Sequence, residues 1–142
     1  MKDSKDVLGS VLKTAQMGQV GLRCVLEAPI DPALERSLRS QLGVYDRIEE
    51  EALGLADCRK WRVHQLNPAV RAWAKTMTQM KLSGGDVDSR AAAMVIRGNT
   101  RGLIKGTRNL HSLSQEDAAV TGMARRLLNA EEESTRQLQR FL

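Results

Sequence analysis

Seven polar residues in this 142-residue chain fall on otherwise apolar helical stripes, near the middles of the long helices. At 100° per residue, Gln19 lies between Ala15 and Leu22 on one stripe. Gln41 and Tyr45 are central in a run from Leu34 to Ala56, with Glu49 at its margin. Asn99 sits with Val95, Ile96 and Leu103, and Glu131 with Val120, Ala124, Leu127 and Leu138, Ser134 following one turn later. A carboxylate is costly to bury alone, so Glu131 must be paired, protonated, metal-bound or reached by water. Counting back from a turn near Ser114 places Asn99 and Glu131 at nearly the same height, and the same count from Pro29 places Gln19 opposite Gln41. Amides and a carboxylate meeting at one level form either a hydrogen-bonded layer that fixes helix register or a seat for a hard cation.

The elements that must position these groups are all helices. Hydrophobic residues make up 42%, charged residues 27% and aromatic residues 3%, a balance that excludes wholesale disorder and disfavours sheet. The apolar spacing predicts helices over about 4–28, 32–60, 68–82, 87–113 and 115–141, in a single domain covering 1–142. Asp31-Pro32 and Asn67-Pro68 each join a capping side chain to a proline in the first helical turn. Ser83-Gly84-Gly85 stops the third helix, Asp86 or Asp88 would cap the fourth, and Ser114-Gln115-Glu116-Asp117 fits a capping box for the fifth. Trp61 to Gly85 is long enough to return the chain from one end of a bundle to the other, about 40 Å for such helices. The expected fold is all-α: a four-helix bundle with a long crossover that contains a short extra helix. No segment approaches the roughly 20 apolar residues of a membrane span, and no signal peptide is read at the N-terminus, so a cytoplasmic protein is expected. Cys24 and Cys58 lack metal-ligand spacing and are expected to be free thiols.

This arrangement resembles the ferritin-like superfamily, whose di-iron members carry one Glu on each of two helices and Glu-x-x-His on the other two. Gln19 and Asn99 stand where the two single glutamates would be. Glu131-Glu132-Glu133-Ser134 reads as Glu-x-x-Ser and Glu49-Glu50-Glu51-Ala52 as Glu-x-x-Ala. Neither His64 nor His111 completes the motif. The stretch Met77 to His111, with MKLSGGDVDS and GNTRGLIKGTRNLH, adds a likeness to a small bacterial branch of that superfamily. The resemblance implies a ferritin-like bundle with a degenerate di-iron site. Neutral amides hold hard dications poorly, so no cofactor is expected, and iron or manganese is the alternative. Gln19, Gln41, Tyr45, Glu49, Asn99, Glu131 and Ser134 are the candidate polar layer or residual metal site.

Two other patterns bear on partners. Gly98, Gly102 and Gly106 repeat every four residues, which suits close approach by another helix, either within the bundle or across a homodimer. Arg90, Arg97, Arg101, Lys105 and Arg108 share one helix face, and residues 61–111 carry a net +7 against +5 for the whole chain. Such a stripe suits an anionic ligand, an acidic partner or nucleic acid, although no aromatic residues interleave for base stacking. The expected function is a non-catalytic structural or interaction protein. A metal-binding protein and a binder of anionic ligands or nucleic acid are the alternatives.

Overall fold

The computed structural model describes residues 1–142, and they are all-helical. Helix α1 spans Ser4–Leu26, α2 Pro32–Cys58, α3 Pro68–Leu82, α4 Val87–Ser112 and α5 Ala118–Leu138, with a turn of 3-10 helix over Gln139–Phe141. The one β-type feature is an isolated bridge between Lys2 and Leu113. No helix is long and apolar enough to cross a membrane.

Local chemistry explains most of the helix ends. Asp31 accepts from the Ala33 amide at 2.7 Å and Asn67 from the Ala69 amide at 2.9 Å, so both Asx-Pro starts cap their helices. Helix α2 stops at Cys58, before the expected 60, because Lys60 turns left-handed (φ 57) and the Trp61 amide closes back on the Ala56 carbonyl at 2.8 Å. Helix α5 starts at Ala118, later than the capping box suggested. Ser114 is held at its backbone by the Lys2 carbonyl (2.9 Å), and Asp117 takes the N-cap, accepting from Val120. Of the two candidates, Asp86 takes the N-cap position of α4 but its side chain does not cap it. Asp86 is itself left-handed (φ 56) and makes no capping bond, while Asp88 accepts the Asp31 amide at 2.8 Å.

That last bond puts the starts of α2 and α4 at the same end of the molecule. At the other end Lys2 pairs with Ser112 and Ser114, and Arg59 bridges to Asp117 at 2.5 Å. Helices α1 and α5 therefore run one way and α2 and α4 the other. Residues 59–86 carry the chain from the far end of α2 back to the near end of α4. The four long helices share one core, in which Leu8, Leu12, Leu34, Leu38, Ile48, Leu127 and Leu138 are sealed from solvent. Each such burial stabilises the fold by about 1.5–3 kcal/mol. Helix α3 lies along α1, touches α4, and contributes only Thr78 and Leu82 to the buried set. It is therefore the helix with the least apolar surface resisting local opening.

The Arg59–Asp117 contact does two things, joining α2 to α5 and capping α5. The hydrogen bond from Arg59 holds the Asp117 carboxyl down at about 2, so its contribution is present above the ordinary value of 3.8 and is lost as pH falls toward 2. Asp117→Ala is expected to cost about 1–2 kcal/mol in a denaturant titration. Asp117→Asn keeps a capping oxygen and should lose less, with its gap from wild type narrowing as pH drops below 3.8. An unchanged gap across that range would show that the ion pair contributes nothing.

Candidate functional site

The polar layer is built by three helices. From α2, Gln41 donates to the Asn99 carbonyl oxygen (2.7 Å) and to the Tyr45 hydroxyl (2.8 Å). The Gln41 carbonyl oxygen accepts from Ser134 of α5 at 2.5 Å. Asn99 of α4 donates to Thr135 (3.2 Å), which in turn donates to the Glu131 main-chain carbonyl (2.9 Å). Tyr45 donates to Glu131 Oε2 at 3.3 Å. These bonds run in one direction, from Ser134 and Gln41 through Asn99, Thr135 and Tyr45 to Glu131. Glu131 Oε1 is left as the only buried side-chain nitrogen or oxygen in the molecule without a partner.

Burial dominates the electrostatics of this carboxyl. Glu131 is 1% exposed and no cation contacts it, so its pKa is pushed up to about 8, with the Tyr45 hydrogen bond pulling only weakly the other way. The Tyr45 hydroxyl is raised well above its ordinary range, first by burial and then by the adjacent Glu131 charge, so it stays a neutral donor. At neutral pH Glu131 is mostly the acid.

Two candidate members lie outside this layer. Gln19 does not face Gln41; it donates to Asp46 (2.8 Å) and Glu49 (3.2 Å), at least five residues further along α2. Residues 27–31 carry the chain on past the end of α1 before α2 turns back, which shifts the register from that of a tight turn. Glu49 is only half-buried and also accepts from Gln16 at 3.0 Å; Gln16 in turn reaches Gln65 and the Leu66 amide. These residues form a second polar cluster, which ties the crossover to α1 and α2. What α1 places beside the layer is Gly18, whose missing side chain leaves room for the Tyr45 ring. Reading outward from apolar stripes did not single out Gln16, Thr135 or Asn109. Asn109 is buried, bonded to Lys2 (2.7 Å) and Ser10 (2.6 Å), and closes the far end of the α1–α4 seam. No three His, Cys, Asp or Glu side chains are grouped so as to hold a metal ion. Around Glu131 the other available donors are two amides and the hydroxyls of Tyr45 and Ser134, a neutral set that does not fit a di-metal centre. His64 and His111 are exposed.

The glycine stripe divides in two. Gly102 admits the Glu131 carboxyl, and at Gly106 a methyl would meet Leu128 Cδ2 at 2.7 Å, so both serve α4–α5 packing within the chain. Gly98 has nothing within 4 Å of an added methyl, and neither does Gly21 on α1. In a helix interior each glycine costs about 0.5–1 kcal/mol relative to alanine. These two line a cavity of about 400 Å³ that opens between α1 and α4. Its buried floor is Gln41, Tyr45, Asn99 and Glu131, and Leu22, Val25, Met94 and Val95 supply apolar wall. Exposed Lys13, Arg101 and Lys105 stand at its mouth, and none pairs with a carboxylate. The basic stripe is thus heterogeneous. Arg90 donates to the Ser83 carbonyl (3.2 Å) and fastens the end of α3, Arg101 and Lys105 flank the cavity, and Arg97 and Arg108 are exposed on α4.

No family model matches this sequence, and neither a curated protein nor a solved structure matches it.

Stability should follow the Glu131 titration. Its pKa is about 8 in the folded state against an ordinary 4.5, so the native state holds the extra proton between those values. The sign is therefore loss of stability as pH rises from 4.5 through about 8, on the order of a few kcal/mol in total. Glu131→Gln removes the ionisation and should flatten this slope, giving a protein more stable than wild type near pH 9 and similar to it near pH 5. Parallel pH–stability curves for the two proteins would refute the assignment.

Proposed function

We propose that this chain is a non-catalytic binding protein, a ferritin-like four-helix bundle whose inner layer has exchanged metal ligands for neutral hydrogen-bonding groups and whose cavity receives a small organic molecule. The crossover over residues 59–86 between parallel α2 and α4 supports the ferritin-like reading, as does the placement of Asn99 and Glu131 at mid-helix. The observation that carries the binding reading is the cavity itself, about 400 Å³ with an apolar wall of Leu22, Val25, Met94 and Val95 and no protein atom where Gly21 and Gly98 lack side chains. The layer also argues against catalysis, because the Ser134 and Tyr45 hydroxyls are both committed as donors within it.

The homodimer loses its support from the glycine stripe, since Gly102 and Gly106 are filled from α5. What remains for it is the apolar pair Trp73 and Met80 on α3, 63% and 66% exposed. The free thiols of Cys24 and Cys58 suit a cytoplasmic location, which is part of the same proposal.

Nile red, an uncharged apolar fluorophore, should bind wild type saturably at one site. Gly98→Leu should abolish that binding while melting no lower than wild type, because the new side chain enters the cavity and improves helix propensity. Binding that never saturates, or that survives Gly98→Leu, would sink the reading. After incubation with iron(II) or manganese(II) and desalting, the protein should retain no stoichiometric metal. Metal retained by wild type and lost in Glu131→Ala would establish the metal-binding alternative instead.

A further inference from the structure

Charge is spread unevenly along the chain, and the fold keeps it uneven. Residues 58–115 carry eleven basic and two acidic side chains, a net +9, whereas all the others together carry −4. Eight of those cations belong to α3 and α4, and none of the eight enters one of the molecule's five ion pairs. The two carboxylates, Asp86 and Asp88, stand at the start of α4, where Asp88 is taken up by the Asp31 amide. From Ser89 to Gln115 there is no acidic residue at all. Like charges left unneutralised on one face repel one another, and an anionic partner removes that repulsion.

Helical geometry arranges these cations in a row. At 100° per residue, Arg90, Arg97, Arg101 and Arg108 fall within about 40° of one another, with Lys105 beside them. They lie on the side away from the buried Ala91, Val95, Asn99 and Gly102, and all five are exposed. The row runs for about 27 Å at 1.5 Å per residue. Its first end is built up by α3. Arg90 is held there by the Ser83 carbonyl, and a groove between the two helices is lined by Lys81, Arg90 and Arg97 with no carboxylate among its residues. Beyond the groove, Arg97, Arg101, Lys105 and Arg108 follow at intervals of about 4.5–6 Å along the axis.

We propose that this face of α4, with the end of α3, binds the phosphate backbone of a single-stranded nucleic acid without regard to sequence. A regular row of cations is the complement of a chain with one negative charge per residue, and arginine pairs with phosphate through two parallel hydrogen bonds. The fold favours a flexible strand over a duplex. Helix α4 packs against α1 and α5 and touches α3, so it lies flush in the bundle and cannot enter a major groove. Nothing on the face reads bases, because α4 has no Phe, Tyr or Trp and its Asn99 and Asn109 are buried. A bilayer surface fits less well, since the one large apolar side chain exposed on α4 is Ile104, 49% accessible. The inference is independent of what fills the cavity, whose rim the strand would pass at Arg101 and Lys105.

Fluorescence anisotropy with a labelled oligothymidylate of about twenty nucleotides tests the proposal, across about 50 to 200 mM salt. Four phosphate contacts, at Arg97, Arg101, Lys105 and Arg108, give a slope of log affinity on log salt of about −3, or a loss of about 50-fold over that range. The triple variant Arg97→Gln, Arg101→Gln, Arg108→Gln should bind tenfold or more weaker at the lower salt, with its slope reduced to about −1. A control, Arg36→Gln, Arg47→Gln, Arg125→Gln, removes the same charge from exposed positions on α2 and α5 and should bind within twofold of wild type. An equal loss in the control would assign the binding to net charge and overturn the proposal. No binding by wild type, or a slope near zero, would also overturn it, and both are readable even if the triple variant fails to fold. A matched duplex bound more tightly than the single strand would defeat the single-stranded form. Equal competition by polyglutamate or by phosphatidylglycerol vesicles would hand the face to an acidic protein or a bilayer, and the proposal would fall.

Discussion

A single carboxyl group held in the core without a cation constrains much of the structure around it. Glu131 is reached by one hydroxyl, from Tyr45, and leaning against it is the bare backbone of Gly102. Keeping it there requires Gly102 on α4 to lack a side chain, Gly18 on α1 to make space for the Tyr45 ring, and Gln41 to bridge Tyr45 and Asn99. Three helices are thereby set to one relative height by groups that tolerate no slippage. Apolar side chains would pack in several registers, whereas a chain of donors and acceptors is satisfied in one.

The same constraint explains why the cavity lies where it does. The α1–α4 seam is closed at one end by Asn109 with Lys2 and Ser10, and at the other end the starts of α2 and α4 are tied by Asp31 and Asp88. Between these points both helices carry glycine, and Leu66 of the crossover reaches the rim while α3 continues along α1. The second polar cluster, centred on Gln16 and Glu49, holds that crossover in place. It lies outside the cavity lining, so it acts on the opening only through the backbone it anchors.

Much of this is legible in the sequence, and the parts that are not share a cause. The inward placement of Gln41, Tyr45, Asn99, Glu131 and Ser134 follows from helical periodicity within each segment, and Asx-Pro pairs mark two helix starts directly. The position of Gln19 is different. Its partner depends on how far residues 27–31 run before α2 reverses, a distance that periodicity does not encode. The start of α5 depends on Lys2, more than a hundred residues away, holding Ser114 out of the helix. The cavity is harder still to read, because it consists of missing side chains at Gly21 and Gly98, on helices separated by most of the chain. Those glycines look like packing positions until the structure shows nothing packed against them.

The layer's hydrogen bonds also bear on the order in which the chain assembles. Helices α1 and α2 form one hairpin that is local in sequence, and α4 and α5 form another. Apart from the Gln41–Tyr45 and Asn99–Thr135 bonds and the return of Thr135 to its own helix, the layer is made between those hairpins: Gln41 to Asn99, Ser134 to Gln41, Tyr45 to Glu131. Each hairpin can gather its leucines early, but these contacts wait for docking, since they close loops of 58 to 93 residues. Before docking, Glu131 is solvated and ionised at neutral pH; afterwards it is mostly the acid. Assembly near neutral pH therefore takes up a proton as the two halves meet, so the docked state gains on the separate hairpins as the medium is acidified from about 8 toward 4.5.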